Sequence, residues 1–101
     1  MLRDPIGKSS EYLSWDDVRP PLLVRSRRPG DRFFPLGGPG SKKVSDYLSD
    51  AKVPPEVRKN ILLVCDQVGI IWVVGHRIDN RVRLDTDTCD VLHLAVKEID
   101  I

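Results

Sequence analysis

The C-terminal half of the chain carries two continuous apolar runs, ILLVC at 61–65 and IIWVV at 70–74. Runs of this length without polar alternation are typical of strands that are buried on both faces. The intervening DQVG places Asp66 and Gly69 at the outer positions of a type I turn, so the two runs are predicted to form a hairpin. RVRL at 81–84 and DVLHLAV at 90–96 are predicted as further strands, the second because its apolar and polar residues alternate.

The N-terminal half combines short apolar patches with turn-forming residues. EYLSW at 11–15 is compatible with a short strand, and LLVRSR at 22–27 predicts another. The stretch 28–40 holds three prolines and four glycines in thirteen residues, which excludes regular structure. Ser41 is then predicted to cap a helix whose apolar face contains Val44, Tyr47, Leu48 and Ala51. PEVRKN at 55–60 predicts a second short helix, with a proline in its first turn.

This order of elements predicts an α+β fold with mostly antiparallel β layers and two short helices. A chain of 101 residues fits a single domain, 1–101. Within it, 1–21 is a lead-in, 22–78 the central part and 79–101 the closing strands. No apolar run is long enough to span a membrane. The absence of an export signal predicts a cytoplasmic protein in which Cys65 and Cys89 are reduced.

Charge is distributed unevenly although the net charge is only +1. Residues 22–60 carry nine basic and four acidic side chains, so +5; residues 1–21 carry three and four, so −1; residues 61–101 carry four and seven, so −3. A basic middle segment indicates a polyanionic partner. The alternative is a solvated surface on which charges happen to cluster.

Catalytic and metal chemistry find little support in the sequence. Cys65, His76, Cys89 and His93 do not have the spacing of a zinc site. GGPGSKK at 37–43 lacks the spacer of a P-loop, and no nucleophile lies in a recognisable elbow. The sequence therefore predicts no catalytic residue and no metal. Phe33 and Phe34 allow two interpretations, since they can stack on nucleobases or anchor the loop to the core.

Lys42 and Lys43 fall in the first turn of the predicted helix, where the helix dipole disfavours cations. Backbone N–H groups of that turn, with Gly38 and Gly40 permitting close approach, are predicted to form a cradle for a phosphate. The alternative is that both lysines pair with Asp46 along the helix. Asp31 is predicted to pair with an arginine and hold the preceding loop.

The order of these features resembles a known family. VRSRRPGDRFFPLGGPGSKKVSDYLSDAKVPPEVRKN, followed by DQVGIIWVVGHRI, resembles the C-terminal domain of bacterial tRNA(Ile)-lysidine synthetase over about residues 22–78. The shared features are a basic strand, a Gly-Asp-Arg turn, a glycine-bounded loop ending in Lys-Lys, a short helix with Lys-x-Pro, an arginine helix, Ile-x-Trp and Gly-x-Arg.

The resemblance implies a fold like that of a domain of the phenylalanyl-tRNA synthetase β subunit. It implies a cytoplasmic parent ligase that uses ATP and Mg²⁺ to attach lysine to the wobble cytidine of an isoleucine tRNA. This chain is expected to lack the catalytic N-terminal domain with its Ser-Gly-Gly-x-Asp-Ser loop, and to need no cofactor itself. Its expected partners are the acceptor stem of that tRNA, the catalytic domain of the same chain and, as a homodimer, a second copy.

Two sets of residues are predicted to form the site. The residues predicted to bind RNA phosphates are Arg25, Arg28, Arg32, Lys42, Lys43, Arg58 and Arg77. The residues predicted to shape the loop are Gly30, Asp31, Gly37, Gly38 and Gly40. Arg28, Arg32, Lys42, Lys43 and Arg58 are expected to face one common surface. The alternative function is a structural or dimerisation module with an incidental basic patch.

Overall fold

The computed structural model describes residues 10–96, which form short antiparallel sheets and two short helices. The strands are β1 (Ser10–Ser14), β2 (Leu23–Ser26), β3 (Arg32–Phe33), β4 (Lys42–Lys43), β5 (Leu62–Cys65), β6 (Ile70–Val73) and β7 (Val91–Ala95). The helices are α1 (Val44–Asp50) and α2 (Pro55–Arg58), with 3₁₀ turns at Trp15–Asp17 and Asn80–Val82. This architecture confirms the predicted α+β class. Within residues 10–96, no helix is long and apolar enough to cross a membrane.

The central sheet has the order β2-β5-β6, with both pairs antiparallel. The predicted hairpin is confirmed, since the Asp66 N–H donates to the Gly69 carbonyl at 2.9 Å across the turn. A register shift between Val64 and Cys65 marks a bulge. The bulge leaves Ile71 without an opposite residue in β5, because Val64 pairs with Trp72 and Cys65 with Ile70.

Hydrophobic clusters lie on both faces of the β5–β6 hairpin, because successive side chains of a strand point to opposite faces. One cluster packs the hairpin against β3 and α1, and contains Phe33, Val44, Leu48, Val53, Ile61, Leu63, Cys65, Ile70 and Val73. The other contains Leu13, Val18, Val64, Ile71, Trp72, Ile78 and Val82. The hairpin therefore forms the middle layer of the domain, as two continuous apolar runs predicted.

The lead-in and the closing segment meet in one two-stranded sheet. β1 pairs with β7 in antiparallel register, with Tyr12 opposite His93 and Leu13 opposite Leu92. Leu13 is fully buried, whereas the Tyr12 and His93 rings stack on the outer face with centroids 4.4 Å apart. The predicted strands at 11–15 and 90–96 are thereby confirmed. The remainder of the two segments, residues 1–9 and 97–101, lies outside the described residues.

The strand predicted for RVRL is wrong. Residues 80–82 form a 3₁₀ turn because the Asp79 carboxylate accepts the Arg81 N–H at 2.8 Å, which caps the turn. An aspartate two residues before Arg81 was the local signal for this cap.

The C-terminal end of α1 closes with two backbone bonds. The Val53 N–H donates to the Leu48 carbonyl and the Lys52 N–H to the Ser49 carbonyl, both at 3.0 Å. This pattern is the Schellman motif, whose closing residue adopts a left-handed conformation and is usually glycine. Lys52 occupies that position with φ of 60°. Pro55 lies in the first turn of α2, as predicted.

Candidate nucleic-acid interface

Asp31 organises the turn that leads into β3. Its carboxylate accepts two bonds from the Arg25 guanidinium, at 3.0 and 2.9 Å, and one from the Arg28 N–H at 2.7 Å. Burial alone would raise the pKa of Asp31, but these bonds outweigh it and hold the pKa below its ordinary value. Gly30, with φ of 88°, supplies the positive φ that a type II turn after Pro29 requires. The predicted pairing of Asp31 with an arginine is confirmed.

This pairing changes the role of Arg25. Its guanidinium is mostly buried against Asp31 and also donates to the Ser26 carbonyl at 3.0 Å. Bonds to Asp31 also raise the pKa of Arg25. We therefore assign Arg25 to stabilising the turn, in place of the phosphate contact that was predicted for it from the sequence. Arg28 contributes its N–H to the same turn, and its side chain is exposed.

Lys42 and Lys43 form a β-ribbon with the chain before the glycine loop. β4 pairs with β3 so that Lys43 lies opposite Arg32, and Lys42 opposite Phe33. Phe33 is 2% exposed and belongs to the core. Because directly opposite residues share a face, Arg32 and Lys43 project together from the outer face. Arg32 is further oriented by its Nε–H, which donates to Ser41 Oγ at 3.0 Å.

The helix begins later than predicted, because Lys42 and Lys43 belong to the ribbon. α1 begins at Val44, its N-cap is Lys43, and Ser41 precedes it by too much to cap it. The Val44 N–H is already bound, since it donates to the Asp31 carbonyl at 2.9 Å. The Val44 N–H is therefore not available to the predicted phosphate cradle, which stays a prediction for the rest of this turn. Sequence reasoning missed the β3–β4 pairing because it depends on how the intervening loop folds back.

Lys42 points to the opposite side of the ribbon from Lys43. There it forms an ion pair with Asp50 at the end of α1, in place of the predicted pairs with Asp46. Both residues line a groove of about 730 Å³ together with the 37–41 loop, Tyr47 and Arg77. Lys42 and Arg77 therefore belong to one groove, which Lys43 does not line.

The glycine loop is closed by Arg77, whose Nη1 donates to the Leu36 carbonyl at 2.8 Å. Gly37 has φ of 82°, and a Cβ there would lie 3.3 Å from that same Nη1. The loop-shaping role predicted for Gly37 follows from this conformation. A Cβ at Gly38 would lie 3.1 Å from the Pro35 carbonyl oxygen, whereas Gly40 has nothing within 4 Å of such an atom.

Arg58 fastens the connection between the two helices. Its Nε–H donates to the Val53 carbonyl at 2.6 Å and its Nη1 to Ser49 Oγ at 3.0 Å. The basic residues that were expected to face one common surface therefore lie in different parts of the domain. Arg32 and Lys43 share the outer face of the ribbon, and Lys42 and Arg77 share the groove. Arg58 is bonded to α1 and to Val53 in the segment between the two helices.

Sequence reasoning also left the two phenylalanines unresolved. Phe33 is buried, whereas Phe34 is 53% exposed. Alternation along an extended segment was a sufficient signal that the two rings point to opposite sides. Sequence alone did not indicate which of the two rings faces the core.

Comparison with known proteins agrees with this architecture. The family model described as the TilS substrate C-terminal domain matches residues 22–94. A tRNA(Ile)-lysidine synthase of Parabacteroides distasonis is 43% identical over 90 residues, covering 87% of this chain and 20% of that protein. The tRNA(Ile)-lysidine synthase of Symbiobacterium thermophilum is 42% identical over 86 residues, covering 85% of this chain and 18% of that protein.

A solved structure shares the fold. The crystal structure of a TILS C-terminal domain superposes with a TM-score of 0.70 at 27% identity, covering 97% of this chain and 78% of that one. The chain spans about a fifth of the length of the curated relatives that it matches. On these matches, the chain belongs to the TilS substrate C-terminal domain family.

Proposed function

We propose that this chain is the tRNA-binding part of a tRNA(Ile)-lysidine synthase and contacts the phosphates of the acceptor stem. The parent ligase would join lysine to the wobble cytidine of an isoleucine tRNA in the cytoplasm. Support comes from the names of the relatives and from the basic outer face of the β3–β4 ribbon. The domain would hold the substrate while the rest of the parent, its partner in the same chain, performs the chemistry.

We propose that ATP and Mg²⁺ bind to the parent protein outside this chain. Between residues 10 and 96, no group of three or more His, Cys, Asp or Glu side chains could hold a metal ion. Lys42, the basic residue that follows the glycine loop most closely, is already paired with Asp50. We therefore assign both cofactors to the part of the relatives that this chain does not match.

The observation that carries the proposal is the cross-strand pair of Arg32 and Lys43. Like charges directly opposite each other destabilise a sheet, by an amount comparable to the ~0.2–1 kcal/mol that an opposite-charge pair contributes. Lys43 is also the N-cap of α1, where the helix dipole disfavours a cation. A bound phosphate would reduce both costs, because its negative charge attracts the two cations at once and offsets their mutual repulsion.

The surroundings hold this pair in place before any ligand arrives. The Asp31 carboxylate fixes the turn before Arg32, and the Asp31 carbonyl accepts the Val44 N–H next to Lys43. Ser41 Oγ binds the Arg32 side chain. Such pre-organisation lowers the entropy lost on binding, because fewer groups have to be ordered.

The test is the salt dependence of tRNA affinity for single-lysine variants. Lys43→Ala should lower the slope of log K against log[salt] by about 1, as expected for one lost phosphate contact. Lys59→Ala is the matched control, since Lys59 is an exposed lysine just after α2. Lys43→Ala should also leave the melting temperature equal or slightly higher, because it removes two repulsive interactions. An unchanged slope for Lys43→Ala would contradict the phosphate contact.

A dimerising module is the second candidate function, and the edge strand β2 favours it. Leu23 and Val24 are more than half exposed on this strand, whose only partner in the described sheet is β5. Exposed apolar edge strands pair readily with a second chain. A concentration-dependent dimer that Val24→Lys dissociates, together with tRNA affinity insensitive to Lys43→Ala, would support this function over the first.

A further inference from the structure

The exposed ring of Phe34 lies in a groove separate from the glycine loop. The groove measures about 340 Å³ and is lined by residues that include Arg32, Phe34, Val68, Asn80 and Arg81. This volume is near the lower end of the roughly 300–1,000 Å³ found for small-ligand sites. Arg32 belongs both to this groove and to the outer face of the β3–β4 ribbon.

The backbone of Phe34 is fixed although its ring is exposed. Its N–H donates to Asp79 Oδ2 at 2.9 Å, and its carbonyl accepts the Asn80 N–H at 2.7 Å. Asp79 is itself buried and accepts the Arg81 N–H. A flat aromatic surface is therefore presented to solvent from a rigid support.

Polar groups with spare bonding capacity surround the ring. No bond to the terminal guanidinium nitrogens of Arg32, or to the side-chain amide of Asn80, is found among the described residues. Arg81, by contrast, is bound to Asp66 and to the Asp17 carbonyl. The groove thus offers one aromatic face, one guanidinium end and one amide that can both donate and accept. The Asp79 carboxylate and Arg81 also line it, but both are already bonded within the fold.

We propose that this groove binds an unpaired nucleobase of the RNA whose phosphate is held by Arg32 and Lys43, an inference that rests on the proposed function. Phe34 stacks on the base, Asn80 bonds to its edge, and Arg32 contacts the adjoining phosphate. A base inside a duplex cannot reach the ring, so the ligand is a single-stranded nucleotide next to the helix. Because any base can stack on an aromatic ring, this groove would recognise an unpaired nucleotide at the end of a duplex and would not distinguish its base sequence.

The cationic and amide neighbours favour RNA over a protein partner for this ring. An apolar docking site would be rimmed by further apolar side chains, whereas here Val68 is the exposed apolar neighbour. Arg32 connects the groove directly to the basic ribbon. One RNA strand can therefore contact both the groove and the ribbon at Arg32.

The test compares two hairpin RNAs, one blunt and one with four unpaired nucleotides at its 3′ end, binding to the 101-residue chain. The extension should raise the affinity, and Phe34→Ala should remove roughly 5- to 150-fold of the affinity for the extended RNA. Affinity for the blunt hairpin should stay unchanged. Tyr12→Ala is the matched control, because Tyr12 is 56% exposed on the β1–β7 sheet.

Phe34→Leu separates stacking from apolar contact and covers the case in which alanine destabilises the fold. The leucine variant should lose most of the gain from the extension, and Phe34→Trp should retain it. Equal affinity of the wild type for both RNAs, or an equal loss on both RNAs in Phe34→Leu, would overturn this inference while leaving the proposed function intact. Failure of the wild type to bind either RNA would overturn both.

Discussion

Asp66→Asn tests the most heavily bonded carboxylate described in the domain. The Asp66 side chain has no exposed surface and accepts five hydrogen bonds. Oδ1 accepts Val68 N–H, Gly69 N–H and Arg81 Nη2, whereas Oδ2 accepts Arg19 N–H and Arg81 Nη1. The carboxylate therefore joins the β5–β6 turn to the segment before β2 and to the 3₁₀ turn at Asn80–Val82.

Asparagine keeps one of the two oxygens and replaces the other by an N–H₂ group. If the asparagine oxygen takes the Oδ1 position, its N–H₂ group takes the Oδ2 position. The bonds from the Arg19 N–H and from Arg81 Nη1 are then lost, because the N–H₂ group faces these two donors and cannot accept from them. Removing one partner of a buried ion pair costs ~3–5 kcal/mol. Three bonds remain and Arg81 stays partly exposed, so we expect the free energy of unfolding at pH 7 to fall by about 3 kcal/mol.

The pH dependence supplies an independent check. Burial would raise the pKa of Asp66, but the bonds from Arg81 and from the Arg19, Gly69 and Val68 N–H groups outweigh it and lower the pKa from 3.8 to about 2. At about 1.4 kcal/mol per pKa unit, this difference contributes about 2 kcal/mol of stability at neutral pH. Because the folded pKa is the lower one, the contribution is complete above pH 4–5 and is lost as pH falls through 3.8 towards 2.

Urea unfolding at pH 7, 5 and 2.5, followed by circular dichroism, measures both effects. Between pH 5 and pH 2.5 the wild type should lose about 1.5 kcal/mol more stability than Asp66→Asn, so the two proteins converge. Asp87→Asn is the control, because Asp87 is exposed. A loss below about 0.5 kcal/mol at pH 7, or a difference that stays constant with pH, would refute the assignment of Asp66 as a stabilising buried anion.

Three further outcomes are expected. Lys52→Gly should raise the free energy of unfolding by about 0.5–1 kcal/mol, because glycine adopts the left-handed Schellman position without strain; a decrease in chemical denaturation would contradict this account. Asp31→Ala should lower the free energy of unfolding by about 2 kcal/mol, because it leaves Arg25 unpaired, yet keep the salt slope of tRNA binding; a slope that changes as much as in Lys43→Ala would place Asp31 in the contact itself. Reductant should leave the melting temperature unchanged, since Cys65 and Cys89 are free thiols; a drop of more than about 4 °C would reveal a disulfide.

Predictions from sequence succeeded where the determining contacts are local or strongly apolar. The β5–β6 hairpin follows from two uninterrupted apolar runs around a turn, and Cys65 and Trp72 are buried as that pattern requires. The Asp31 pairing was also predictable, because a short loop brings a carboxylate back to a basic strand. These features depend on neighbours within about ten residues of the chain.

The site itself depended on contacts that local patterns do not encode. The register of β3 and β4 separates Lys42 from Lys43, although both occupy one apparent helix start in the sequence. The second acceptor of Arg58 and the ion pair of Lys42 with Asp50 depend on where α1 ends. Helical periodicity located α1 but not its first residue, and the offset of two positions moves both lysines out of the helix and into β4.

The position of the β5–β6 hairpin between two hydrophobic clusters has a consequence for hydrogen exchange. Leu63 packs into one cluster and Val64 into the other, so the strand cannot open without disrupting both. Its amide protons should exchange with solvent only through global unfolding, whereas those of the β3–β4 ribbon should exchange through smaller local openings. Transient opening of the ribbon would therefore leave the middle layer of the domain closed.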